Sequence, residues 1–244
     1  MHLSPDEIIV YSTGDITLNA TILFTWIVMV ILVFGSWLIT RKLSTGAVIS
    51  RRQNCLEAIV GMILGQIFDI TRQKPARFLP FIGTLFLFIV VSNILSVVPG
   101  FQPPTGSLST TVALAFCVAV AVPVYGIADT GLIAYLKNYT RPTPLMLPFN
   151  ISGEISRTLA LAVRLFGNVM SSGMIGAILL VIAPLFIPVL MQLLGLLTGV
   201  VQAYIFAVLA AVYIAAGLKV NEDMAHQNSS TEPEEKLYTT YEEK

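Results

Sequence analysis

Five long apolar runs dominate the chain, near residues 17–40, 78–98, 109–136, 152–183 and 185–219, with short polar breaks between them. A helix needs roughly 20 apolar residues to cross about 30 Å of hydrocarbon, so each run is long enough to span a bilayer. With 55% hydrophobic and 11% charged residues among 244, and a mean hydropathy of +0.81, the chain is too apolar for a soluble domain of this size. The pattern predicts an all-α integral membrane protein with about five membrane helices. The first run begins too late and extends too far for a cleaved signal peptide, and no small-residue cleavage pattern follows it.

Composition excludes several functions. Net charge is zero, so no basic surplus points to nucleic acid, and no Gly-x-x-x-x-Gly-Lys loop is present to cradle a nucleotide phosphate. Cys55 lies in a basic connection and Cys117 in a spanning run, while His2 and His226 lie in the tails. Neither a disulfide nor a metal site is expected from that distribution, and no cofactor.

Charge bias orients the runs. Arg41, Lys42, Arg51, Arg52, Arg72, Lys74 and Arg77 share one connection, Lys137 and Arg141 the next on that side, and Lys219, Lys236 and Lys244 the C-terminal end. Residues 1–16, 99–108 and 183–184 contain no Lys or Arg. The positive-inside rule then puts the N-terminus outside and the C-terminus in the cytoplasm, as an odd number of spans requires. Residues 1–16 read as an external segment, 17–220 as the membrane domain, and 221–244 as an acidic, disordered cytoplasmic tail. Between the first two spans, Leu56, Ile59, Val60, Ile63, Leu64, Ile67 and Phe68 recur at helical spacing among Glu57, Gln66 and Asp69. This segment, 54–72, reads as an interfacial or re-entrant helix rather than a sixth crossing.

The fourth and fifth runs hold about 32 and 35 residues, so each helix extends about 50 Å and must tilt, bend or lie partly along the membrane. Pro184 and Pro188 supply the break between them, giving a long helical hairpin over 152–219. Arg164 lies 20 positions before Pro184 and Gln202 lies 18 after it, so the two face each other at similar depth. Asn168 and Thr198 make a second rung by the same count, and Gly173 and Gly195, 11 positions either side, a third. Glu154, Arg157 and Arg164, spaced by three and seven, form a polar stripe on an otherwise apolar helix. Arg164 costs most. A guanidinium stays protonated at membrane depth, and placing it at a helix centre costs roughly 2.5 to 3.5 kcal/mol on the lenient insertion scales. On the last run Gly195, Gly199, Ala203, Ala207, Ala211 and Ala215 recur every four residues, a ridge that lets another helix approach closely, from this chain or another subunit.

The stretch from Arg157 through Arg164-Leu-Phe-Gly-Asn168, with the downstream Gln202-Ala-Tyr-Ile-Phe206, resembles subunit a of the F-type ATP synthases. Ser92-Asn93 through Pro99 and Thr105 through Thr111 are similar to that family too, and the resemblance covers about residues 40 to 220. It implies a stator whose two final helices form a tilted hairpin against a rotating ring of c subunits. Two offset half-channels would carry H+ or Na+ to and from the ring carboxylates. Partners implied are the c ring, b-type peripheral stalk subunits, the F1 sector through the complex, and lipid of a bacterial inner membrane. Arg164 matches the family's essential arginine, Gln202 its glutamine on the last helix, Asn168 the asparagine after the Arg-Leu-Phe-Gly run, and Asn93 that of the second span. A fixed cation favours the ion-free form of a nearby carboxylate and blocks ions from leaking between half-channels.

The chain also departs from that pattern. Gly173 stands where many relatives have an acidic residue, Gly195 where some have histidine, and Ser107 where an acid is often found. The usual titratable half-channel groups are missing, which leaves Gly173, Gly195, Thr198, Ser171 and Ser172 as candidate lining. Hydroxyl, amide and carbonyl oxygens hand over a hard cation without titrating, so the departure is similar to a divergent sodium-type branch; water beside the two glycines carries protons equally well.

Structural readings stand beside these. Arg164 also suits snorkelling to an interface, Glu154 and Arg157 an intrahelical ion pair, and Gln202, Asn168 and Asn93 interhelical hydrogen bonds. The competing function is a self-contained secondary transporter or channel, which usually shows internal repeats around a central site; none is visible, and Arg164 has no matched acid. An intramembrane enzyme lacks its nucleophile, metal ligands or paired acids.

Overall fold

Apolar segments in lipid must satisfy their backbone hydrogen bonds internally, and the membrane runs accordingly fold as helices. The computed structural model describes residues 9–13, 16–41, 51–71, 75–98, 100–131, 146–182 and 187–242. In chain order the elements are β1 (Ile9–Thr13), β2 (Ile16–Asn19), α1 (Ala20–Thr40), α2 (Arg51–Thr71), α3 (Leu79–Leu95), α4 (Leu108–Thr130), α5 (Met146–Ile182) and α6 (Ile187–Glu242). Short 3-10 turns lie at Pro75–Arg77 and Pro104–Gly106. Ala20–Leu38, Leu108–Ala128, Ile151–Val181 and Ile187–Ala216 are each long and apolar enough to cross a membrane. α3 is the fifth apolar helix and the shortest, 17 residues or about 25 Å.

Boundaries shift where local chemistry intervenes. The first helix begins at Ala20 rather than near 17, because Ile16–Asn19 pairs antiparallel with Ile9–Thr13, Thr13 opposite Ile16. β-branched and aromatic residues favour these strands within the segment expected to be simply external. α4 stops at Thr130, short of the expected 136, where Gly131 takes φ 85° and donates its N–H to the Ile127 carbonyl. The 183–184 turn lies outside the described residues. α6 continues as helix through Glu242, where the sequence predicts a disordered tail from Asn221. Extending an existing helix requires no new nucleus, but Pro233 and the run Asn228–Thr231 are poor helix formers, so local propensity does not account for the extension.

α6 is the centre of the bundle and packs against α2, α3, α4 and α5. Ala203, Phe206 and Ala210 join Phe88 and Ile89 of α3, Ala115 and Val118 of α4, and Leu161 and Leu165 of α5 in one core. Ala207, Ala211 and Ile214 join Ile67 of α2, Ile82 of α3 and Val122 of α4 in a second. The small-residue ridge thus finds its partners within the chain. α2 is not loose on the surface of the bundle. Its Ile67 is buried, and Tyr204 of α6 donates its hydroxyl to Gln66 Oε1 at 2.8 Å.

The tightest approach is between α3 and α6. Asn93, 4% exposed, donates Nδ2 to the Gly199 carbonyl at 3.1 Å, and a Cβ added at Gly199 would stand 2.8 Å from Asn93 Cγ. Only glycine fits. At Gly173, on α5, an added Cβ meets nothing within 4 Å. Replacing a helical glycine by alanine gains about 0.5–1 kcal/mol from backbone entropy where there is room, whereas overpacking costs about 1–3 kcal/mol. Gly199→Ala is therefore expected to lower the thermal unfolding midpoint of the detergent-solubilised protein, and Gly173→Ala to leave it unchanged or raise it. Equal midpoints for the two variants would contradict the packing account.

Candidate functional site

The polar residues of the final hairpin divide between two neighbouring faces of α5. Leu161, Ala162 and Leu165 turn inward and are buried. Arg157, Ala160, Arg164 and Ser171, at steps of three, four and seven, lie on one stripe, and all four are exposed. α4 and α6 cover the Leu161–Leu165 side of α5; this stripe lies beside it, open at Arg164 and touching α6 only where Arg157 meets Tyr213. Among the described residues Arg164 forms no ion pair. Its charge faces outward at membrane depth, away from the core.

Beside that stripe runs a cleft of about 370 Å³ between α5, the start of α6 and the end of α3. Asn168, Ser172 and Gly173 line it from α5, Gly195 and Gln192 from α6, and Asn93 from α3. The hairpin register agrees with the count about Pro184 to within one residue. A Cβ at Gly195 would lie 3.3 Å from Ser172 Cβ, which makes 172 and 195 a rung. Eight residues back along α5 and seven on along α6, the same register sets Arg164 level with Gln202. The cleft ends at Asn168, one turn or about 6 Å along the helix from Arg164. Among the described residues no titratable side chain lines it.

Gln202 and Arg164 share a depth but not an environment. Gln202 is 8% exposed, and its buried Nε2 has no hydrogen-bond partner among the described residues. Two expected lining residues fall elsewhere. Ser171 lies on the Arg164 stripe, and Thr198 is turned back on its own helix, its hydroxyl donating to the Leu194 and Gly195 carbonyls at 3.0 Å. The alternative reading of Glu154 and Arg157 as an ion pair also gives way. The Arg157 guanidinium lies 5.5 Å from the centre of the Tyr213 ring, joining α5 to α6, and among the described residues Glu154 forms no ion pair. An aromatic face holds a guanidinium with about 0.5–2 kcal/mol, comparable with a solvated ion pair.

The sequence reading overlooked the outer end of the cleft. Gln192 donates Nε2 to the Ser96 carbonyl at 3.0 Å, bridging α6 to the turn after α3, and Ser96 donates its hydroxyl to the Asn93 carbonyl at 2.6 Å. The available signal was an amide three residues before Gly195, on the same face of an apolar helix.

Residues 22–215 match the sequence family described as ATP synthase A chain. The chain is 61% identical to "ATP synthase subunit a 1" of Chlorobaculum parvum over 91% of its own length and 98% of that protein. It is also 61% identical to "ATP synthase subunit a 2" of Acaryochloris marina, over 91% of this chain and 95% of the relative. A third relative, "ATP synthase subunit a" of Albidiferax ferrireducens, shares 61% identity over 90% and 95% of the two chains. With a family match over residues 22–215 and relatives this similar along nearly their full lengths, the chain belongs to the ATP synthase subunit a family, a non-catalytic membrane subunit of the Fo sector.

Proposed function

We propose that this subunit is the ion-conducting stator of a rotary F-type ATP synthase in a bacterial inner membrane. It stands against a c ring, is braced by b-type stalk subunits, and is coupled through them to F1. The single observation that carries this reading is the exposure of Arg164 on its stripe of α5, level with Gln202 and one turn from the end of the cleft. A self-contained transporter would hold its counter-charge inside the fold. Here the acid to match Arg164 has to arrive from outside.

The physical consequence is ion release on arrival. A ring carboxylate at about 4 Å from a guanidinium, at an effective dielectric of about 20, gains about 4 kcal/mol in its charged form. That corresponds to about 3 pKa units and favours loss of the bound proton or metal ion. The same cation opposes a direct leak between the two half-channels. One half-channel is the cleft ending at Asn168. The other approaches from the opposite end of α5, past Glu154 and Arg157, about 15 and 10 Å along the helix from Arg164. Charge bias makes the cleft external and the Glu154 end cytoplasmic. With no titratable lining, the cleft offers amide and hydroxyl oxygens to a passing cation, which favours sodium over a relayed proton.

Arg164→Ala is expected to lower ATP-driven ion transport by the whole complex by at least about 100-fold, in line with loss of roughly 3 kcal/mol or more of electrostatic stabilisation. The subunit should still copurify with the ring. Wild-type transport by that variant would reject the role of the arginine.

The coupling ion is tested separately. In vesicles containing the whole complex, ATP-driven sodium uptake should persist, or rise, when a protonophore is added. Uptake that collapses with the protonophore, or ATP-driven acidification indifferent to sodium, would identify protons instead.

A further inference from the structure

The cleft sets an electrostatic problem. It contains no carboxylate, and it leads toward Arg164, whose charge repels a cation moving inward and attracts an anion. Its two tethered amides bear on that problem. Asn93 donates Nδ2 to the Gly199 carbonyl at 3.1 Å, and Gln192 donates Nε2 to the Ser96 carbonyl at 3.0 Å. Turning either amide over would set its oxygen against a backbone carbonyl oxygen, two acceptors with no proton between them. The backbone therefore decides which end of each side chain is tied down. Each tether uses one N–H and leaves the amide oxygen, the group that can face a cation, free of that bond.

Gly199 tightens the first tether, since the site of its missing Cβ is 2.8 Å from Asn93 Cγ. The two α6 anchor positions, 192 and 199, are seven residues apart, about 10 Å along the helix. The Ser172–Gly195 rung lies between them.

We propose that Asn93 and Gln192 are the charge-selecting residues of the cleft: their tethered amides present oxygens at two successive depths and admit a hydrated monovalent cation while turning anions away. This rests on reading the cleft as one of the two half-channels. It adds the means by which a neutral passage ending near a fixed positive charge conducts cations.

The test uses the whole complex in vesicles, with Cys55 and Cys117 replaced by alanine and a single reporter, Ser172→Cys, between the two amides. The reporter is labelled with a trimethylammonium-ethyl and with a sulfonatoethyl methanethiosulfonate, each rate divided by that reagent's rate with a free thiol in solution. The cationic reagent should react at least about tenfold faster, within the range by which charged clefts concentrate counter-ions. Gln192→Leu and Asn93→Leu should each reduce that preference at least about threefold, and together they should bring it to unity or reverse it, since Arg164 remains. Gln192 is exposed on the rim, so its variant reads out selection even if Asn93→Leu does not assemble. A parent preference of unity or below, or a preference unchanged in the variants, overturns the proposal. Labelling requires no pumping. A parent preference of unity alongside a silent Arg164→Ala complex sinks this inference alone, whereas full transport in Arg164→Ala sinks the stator reading and leaves the labelling result standing.

Discussion

Helices in lipid gain little from hiding one apolar face against another, because the surrounding tails are equally apolar; close association depends on van der Waals fit and on polar contacts across the interface. In this subunit that requirement is met along one face of α6. Gly199, Ala203, Ala207, Ala210, Ala211 and Ala215 are all buried, and larger side chains of α2, α3, α4 and α5 close over them. Because those residues are small, Asn93 reaches the backbone of α6, and because the backbone is held there, Gln202 is fixed at a defined depth. A bulkier ridge would move α3 outward and with it one wall of the cleft.

The same packing leaves α5 covered on one side only. Leu161, Ala162 and Leu165 attach it to the bundle, and an exposed stripe beside them carries Arg157 and Arg164. The two cations differ in what they do there. Arg157 lies against Tyr213 and helps hold the hairpin together, while Arg164 has no ionic partner among the described residues. Arginine differs here from lysine, whose compact ammonium shifts its pKa readily when buried.

Much of this was legible in the chain itself. Apolar run length located the membrane helices to within a few residues at most ends, and counting about Pro184 located the Ser172–Gly195 rung to within one. Helical period placed Arg157 and Arg164 on one stripe, since that depends only on backbone geometry. Partner choice was less legible. Period also brings Glu154 near Arg157, yet Tyr213, 56 residues further on, takes the guanidinium. Asn93 with Gly199, Gln192 with Ser96 and Tyr204 with Gln66 are likewise contacts across about a hundred residues, set by how four helices meet α6. Propensity alone did not separate the β1–β2 hairpin from an external coil, nor the helical end of α6 from a disordered tail.

Gly173 and Gly195 show where a symmetrical reading of the sequence stops being adequate. By count they are equivalent, a pair of missing side chains 11 residues either side of Pro184. In the fold they are not. Gly173 has open space where a side chain would begin, so its want of a carboxylate is not imposed by packing. Gly195 faces Ser172 at 3.3 Å, close enough that any side chain there requires α5 to give way by a few tenths of an ångström. The neutrality of the cleft therefore has two origins. On the α6 side the approach of the two helices constrains it, and on the α5 side it is a chemical property that one substitution at Gly173 would change without disturbing the bundle. With Gly195 tight against Ser172 and Gly173 open, the proposed selection falls to groups already fixed by the backbone, the amides of Asn93 and Gln192.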